Sequence, residues 1–233
     1  MGQAVLHAAL FTLIPVSAAA LGGLVASLRT PDRIMTSLVQ HGAAGVVFAA
    51  VAVELIPEMR KEVFGVGIGG FGLGIAAMFC LNIITRHFEE RTASNRAGAG
   101  GLNGNLGLVI ATGVDILIDG LVLGAGFSAN SRTGILLTVA LTLELVLMGL
   151  AVAVTLRKSH VNPIGSVVIV VGLALLSTAG AVGGLVALNH ASSTILAAML
   201  AFGAVALLYV VAEDLLKEAL RCATCLSRPR FSF

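Results

Sequence analysis

Three acidic side chains lie inside two long apolar stretches of the chain. Asp115 and Asp119 stand four residues apart in ATGVDILIDGLVLGAG, and Glu144 stands in LTLELVLMGLAVAV. On a helix, positions i and i+4 share one face, so the two aspartates would lie one turn apart. An ionised aspartate in mid-membrane costs about 2.5–3.5 kcal/mol on insertion scales. Acids that persist at such positions therefore indicate a function.

The acids and one methionine have the spacing of a cation site. Met148 follows Glu144 by one turn, so three carboxylates and a thioether would converge if the two helix faces met. Carboxylate oxygens suit Mg²⁺, Ca²⁺ and Mn²⁺ and also bind Zn²⁺, whereas a thioether favours softer ions. Packing explains Met148 equally well, since methionine fills gaps in cores. A protonated, hydrogen-bonded acid cluster and a proton relay are the alternatives to a cation site.

Other polar groups lie near the ends of further apolar stretches or within them. Glu54 and Glu213 are candidates for a relay along an access path, or for interfacial side chains that extend toward the membrane surface. Asn82 could be a neutral ligand, although a helix–helix hydrogen bond is the favoured interpretation. Pro57 predicts that its helix kinks or ends there. The full set of pathway or relay candidates is Glu54, Glu58, Asn82, Glu213 and Asp214.

The composition requires membrane helices to position these groups. Of the 233 residues, 58% are hydrophobic and 11% are charged, and the mean hydropathy is +1.02. These values indicate an integral membrane protein. We predict an all-α, polytopic fold with one transmembrane domain (residues 1–220), a Gly-rich loop (86–105) and a basic tail (221–233). Seven stretches have about the 20 residues that a span needs: 6–28, 39–59, 66–85, 106–127, 134–156, 164–188 and 193–216.

The basic residues predict the orientation of these seven spans. With an odd number of spans, 11 of the 14 Lys and Arg residues fall on one side, and only Arg60, Lys61 and Arg132 fall on the other. The positive-inside rule then places the N-terminus outside and the C-terminus in the cytoplasm. The Gly-rich loop and the basic tail are also expected in the cytoplasm. We expect the protein in an inner or plasma membrane.

Other classes of function find no support in the residues. The chain has no nucleotide-binding loop, no HExxH motif and no Ser/His/Asp set in a suitable context, so we expect no enzyme. Nucleic-acid binding has no support either. Cys222 and Cys225 form a single CATC in the predicted tail, which is a weak metal or redox signal. Palmitoylation or the absence of a role explains these cysteines equally well.

The acidic stretches resemble motifs of the ZIP (Zrt/Irt-like) family of divalent-metal transporters. Its fourth span has the form HNxPEGLAxG; here Asp115–Gly124 keeps the Gly-Leu-x-x-Gly tail, with Asp119 in place of Glu. In the fifth span, Glu144 falls at the first ligand position and Met148 at the acid of an acid–glycine pair. The resemblance implies a ZIP-like helical bundle. It also implies that a divalent cation of the Zn, Mn, Fe or Cd class binds Asp115, Asp119 and Glu144, with Met148 as a fourth candidate ligand.

The chain departs from the family pattern at three points. Asp115 stands where the family usually has His, which weakens the argument for zinc. Ile116 and Leu145 replace polar residues that help to build a second metal position, so we expect a single cation. The family usually has eight spans, and we expect the eighth to be missing here. Two other functions stay open: a ZIP-like scaffold in a larger membrane complex, and a proton-coupled carrier of a non-metal substrate. A homodimer or a partner membrane helix would fit the missing span.

Overall fold

A computed structural model of the protein describes residues 2–28, 33–59, 64–95, 106–188 and 190–212. The regular elements in these ranges are all helical, which confirms the predicted all-α fold. They are α1 (Gly2–Leu28), α2 (Arg33–Ala50), a π-helical turn (Val51–Leu55), α3 (Ile56–Met59), α4 (Phe64–Asn95), α5 (Leu106–Ala129), α6 (Ser131–Lys158), α7 (Pro163–Leu188) and α8 (Ser193–Val210).

Most of these helices are long and apolar enough to cross a bilayer. Five meet that standard: α1, α4, α5, α6 and α7. Within the described residues there are two shorter apolar segments: His41–Val53, from α2 and the π turn, and Ser193–Tyr209, from α8. Since α2, the π turn and α3 follow one another without a break, the described residues form seven helical rods in the order of the predicted spans. The protein is therefore a multi-pass helical membrane protein.

The second rod passes through Pro57 instead of ending there. Proline has no backbone N–H to donate to the preceding turn. The turn before it widens to the π form, and the N–H of Ile56 donates to the carbonyl of Val51, five residues back. The helix then continues to Met59. A π-bulge within a membrane helix often marks a functional site, and this one contains Glu54.

The third rod is longer than the sequence predicted. Helix α4 continues to Asn95, so residues 86–95 are helical and do not belong to the Gly-rich loop. The physical reason lies in the composition, because the segment RHFEERTASN contains neither Gly nor Pro. The first glycine after it is Gly98, and residues 96–105 lie outside the described ranges.

Local hydrogen bonds define both ends of α6. At its start, the Asn130 side chain accepts a hydrogen bond from the Arg132 N–H at 3.0 Å, as an N-cap does. At its end, the Val161 N–H donates to the Leu156 carbonyl, and His160 takes the left-handed conformation with φ 63°. This pattern is a Schellman-type C-cap. The caps fix the length of the helix that carries Glu144.

The helices pack into two groups. Helices α1, α5, α6 and α7 make extensive contacts with one another, and we call them the four-helix group. Helix α4 packs mainly on α8, and the second rod contacts both α6 and α8. We call α2, α3, α4 and α8, with the π turn, the flanking group. The four-helix group carries all three acids of the predicted cation site.

Two buried apolar clusters fill the interior. The Leu123 cluster joins α5 and α6 to the second rod and α8, and its members include Val47, Val51, Leu55, Leu123, Leu137, Leu141 and Leu207. The Ile116 cluster lies within the four-helix group, and its larger members are Val16, Ile116, Leu145, Val152, Leu156, Val170 and Leu173. Along α5 and along α6, the two clusters meet at the level of the buried acids.

Candidate functional site

The structure brings the predicted acids of α5 and α6 close together. Asp119 is 1% exposed and Glu144 is 2% exposed, whereas Asp115 is partly exposed. Asp119 lies within range of electrostatic repulsion from both Glu144 and Asp115. Two different helices therefore contribute carboxylates to one small region inside the protein.

Apolar side chains surround these acids along both helices. On α5, Asp119 stands between Ile116 of one cluster and Leu123 of the other. On α6, Leu141 and Leu145 flank Glu144 in the same way. Neither oxygen of the Asp119 carboxylate accepts a hydrogen bond from the part of the chain that the structure describes. A buried polar group without such a partner is costly unless a proton or another ligand compensates it.

A close backbone contact holds the helix that carries Asp119. A methyl group added at Gly120 would overlap the backbone carbonyl oxygen of Ser177 on α7. On the other side of the contact, a methyl group at Gly180 would lie 2.6 Å from the Leu117 carbonyl oxygen. Small residues allow membrane helices to approach at backbone distance. The contact fixes the rotation of α5 and therefore the direction in which Asp119 projects.

The acids lie close together but do not form a complete set of metal ligands. Within the described residues, no three His, Cys, Asp or Glu side chains have an arrangement that could hold a metal ion directly. A cation at this place would therefore require rotation of the carboxylates toward one another.

Met148 lies on the apolar side of this region. It packs against the Ile116 cluster and lines a small cavity together with Ile116, Leu145 and Gly149. The cavity has room for about one water molecule. This placement agrees with the packing interpretation, and ligation by Met148 stays a prediction.

The structure describes the acidic pathway candidates only in part. Glu54 belongs to the π turn and Glu58 to α3, but their side chains lie outside the described part of the structure. Glu213 and Asp214 lie outside the described residues altogether, as do Cys222 and Cys225. Helix α8 ends at Val210, and the next two residues, Val211 and Ala212, take the π form. Glu54 therefore lies within π-helical backbone, and Glu213 follows a π-helical segment in the sequence.

Asn82 makes a hydrogen bond between helices, as the favoured interpretation predicted. Its side-chain amide on α4 donates to the hydroxyl of Tyr209 on α8. Tyr209, the only tyrosine of the chain, was not among the predicted functional residues. The role of α7 was not predicted either, although the small residues Gly180 and Gly184 were an available signal.

The chain was also compared with models of known protein families. The family model described as ZIP Zinc transporter matches residues 85–230, a range that contains Asp115, Asp119, Glu144 and Met148. No curated protein matches the chain. The matched range covers more than half of the 233 residues and confirms the resemblance noted in α5 and α6. The chain therefore belongs to the ZIP zinc transporter family.

Proposed function

We propose that this protein carries a divalent metal cation across a membrane and that Asp115, Asp119 and Glu144 bind the cation on its way. The observation that carries the proposal is Asp119, which is almost fully buried and whose oxygens accept no hydrogen bond within the described chain. The neighbouring acids add repulsion to the cost of burial. A divalent cation between α5 and α6 would relieve both costs at once.

The site takes one cation. Ile116 and Leu145 stand next to Asp115 and Glu144 in sequence, are 2% and 1% exposed, and belong to the same apolar cluster. Neither side chain can donate an electron pair to a metal. A second cation beside the first would have to be stripped of water against apolar groups, which is unfavourable. The carboxylates draw together around the single ion when it binds.

Transport follows from a movement of the four-helix group against the flanking group. Within each group, helices touch through their backbones, as at Gly120 against Ser177 and at Gly70 against the Ala198 carbonyl. Between the groups, Gly203 of α8 packs against the side chain of Val122 on α5. Side-chain contacts can slide more readily than backbone contacts can separate. Rocking of one helix bundle against another is a common route to alternating access.

The surrounding topology completes the proposal. The protein lies in an inner or plasma membrane, with the N-terminus outside and the C-terminus in the cytoplasm, as the distribution of Lys and Arg predicts. Glu54, which belongs to the π turn, and Glu213 serve as relay groups. The single domain spans residues 1–220.

The test is cation uptake into vesicles that contain the purified full-length protein. We expect uptake of at least one of Zn²⁺, Mn²⁺, Fe²⁺, Co²⁺ and Cd²⁺ by the wild type. Asp119→Asn, which keeps the shape of the side chain, should abolish that uptake without changing helix content. Ser128→Ala is the matched control, because Ser128 lies on the same helix and its hydroxyl donates only to the Gly124 carbonyl nearby. Full uptake by the Asp119→Asn variant would refute the proposal.

A further inference from the structure

The helices that form the proposed site offer oxygen donors and almost nothing else. Across Leu106–Ala129 and Ser131–Lys158 there is no histidine and no cysteine. The acidic side chains of these two helices are Asp115, Asp119 and Glu144, and Met148 supplies their only sulfur. Whether the site has a soft donor therefore depends on Met148.

The surroundings of Met148 suit packing. The cavity that it lines has walls of apolar groups, among them Ala19, Ile116, Leu145 and Val170, with Thr112 as the polar exception. Met148 also packs against the Ile116 cluster, which includes Leu145 and Val152. A flexible, polarizable side chain fills such an irregular space well. The cavity lies on the same side of the acids as Ile116. Its lining contains no charged side chain.

The histidine and cysteine side chains that the structure describes are exposed, unlike the buried acids. His41, Cys80, His160 and His190 are the histidines and cysteine whose side chains the structure describes, and each is exposed. Asp119 and Glu144, in contrast, are 1% and 2% exposed. The buried region therefore receives no nitrogen donor from these four residues.

From this arrangement we infer that the site is an all-oxygen carboxylate site, that Met148 packs beside it without binding the ion, and that the substrates are divalent cations of the Mn²⁺ class. The inference rests on the proposed function. Carboxylates suit Mn²⁺, whereas imidazole and thiolate ligands favour Zn²⁺ and Cd²⁺. Mg²⁺ keeps several of its waters and Ca²⁺ needs six to eight oxygens, which a site this buried does not provide.

The experiment measures equilibrium binding of Mn²⁺, Zn²⁺ and Cd²⁺ to the purified full-length protein. Divalent affinities normally rise from Mn²⁺ to Zn²⁺, and we expect this rise to be small here, within about tenfold, because no nitrogen or sulfur ligand enlarges it. Met148→Leu should change each affinity by no more than about twofold, since leucine replaces methionine in cores with little loss. Asp115→His introduces an imidazole and should raise the Zn²⁺ affinity relative to Mn²⁺ by about tenfold or more.

Selective loss of Cd²⁺ or Zn²⁺ affinity in Met148→Leu, with Mn²⁺ unchanged, would show that the sulfur is a ligand and would overturn the inference. X-ray absorption of Cd²⁺ bound to the wild type gives the same answer without a variant, because a sulfur shell around the ion is incompatible with the inference. Asp119→Asn separates the two claims. Binding that survives this change defeats the proposed function, whereas binding that is lost, together with a cadmium–sulfur shell, defeats the all-oxygen site alone.

Discussion

Gly120, the residue after Asp119 on α5, packs its α-carbon against the backbone carbonyl of Ser177 on α7. The contact leaves no room for a side chain, so the two helices meet at backbone distance beside Asp119, the most buried of the acids that the structure describes. The rotation of α5 about its own axis is thereby fixed. It follows that residues on α7, which carries no acid, control the direction of the Asp119 carboxylate.

Two glycines of α7 provide a matched test of this control. A methyl group at Gly180 would lie 2.6 Å from the Leu117 carbonyl oxygen, whereas nothing lies within 4 Å of the same group at Gly183. Gly180→Ala should lower the free energy of unfolding by about 1–3 kcal/mol, the usual range for overpacking, and should weaken cation binding. Gly183→Ala should leave both unchanged. Thermal unfolding in detergent and binding measurements would show the difference, and equal behaviour of the two variants would contradict it.

Acidification should weaken cation binding. Carboxylates bind metals in their deprotonated form, so protons compete with the cation and the dissociation constant rises as the pH falls. The direction is the same for Asp115, Asp119 and Glu144, and the effect grows as the pH falls toward the ordinary carboxyl range of about 4. Titration of the wild type at several pH values measures it. Helix content recorded at each pH serves as the control for unfolding, and a dissociation constant that does not vary would exclude carboxylate ligands.

The hydrogen bond from Asn82 to Tyr209 should couple α4 to α8. Hydrogen bonds between membrane helices contribute about 0.6 kcal/mol on average and at most about 1.7 kcal/mol. A double-mutant cycle with Asn82→Leu and Tyr209→Phe isolates this pair from the other contacts of each residue. We expect a coupling free energy within that range. Strictly additive losses of stability would mean that the two side chains do not act together.

His160 occupies a backbone position that favours glycine. Its φ of 63° is left-handed, and such a conformation costs a residue with a side chain about 1–2 kcal/mol. His160→Gly should therefore raise the free energy of unfolding, by up to about 1 kcal/mol after the greater freedom of glycine in the unfolded chain is subtracted. Ser159, with φ −91°, is the control. Ser159→Gly should not raise the free energy of unfolding. An increase equal to that of His160→Gly would disprove the explanation.

Much of the fold was predictable because a bilayer imposes a simple rule on sequence. A span needs about 20 apolar residues, and the seven predicted stretches agree in order with the seven helical rods. The end of α4 was predicted less well. The polar residues 86–95 indicated a loop, but a segment without Gly or Pro can continue a helix once the apolar part of that helix has formed.

The acids of the proposed site were also visible in the sequence. A charge inside an apolar stretch stands out against its neighbours, so Asp115, Asp119 and Glu144 could be named without coordinates. The i, i+4 spacing placed the two aspartates on one face of a helix correctly. Spacing along one helix says nothing, however, about which other helix that face meets.

The sequence by itself determined the helices, their membrane character and the identity of the buried acids, because hydropathy and helix period are local properties. Only the tertiary structure decided that Asp119 and Glu144 lie close together, that α7 supports α5, and that Met148 packs in an apolar cluster. These relationships depend on how each helix rotates against its neighbours. That rotation is set by close contacts between residues far apart in the chain, such as Gly120 with Ser177 and Asn82 with Tyr209.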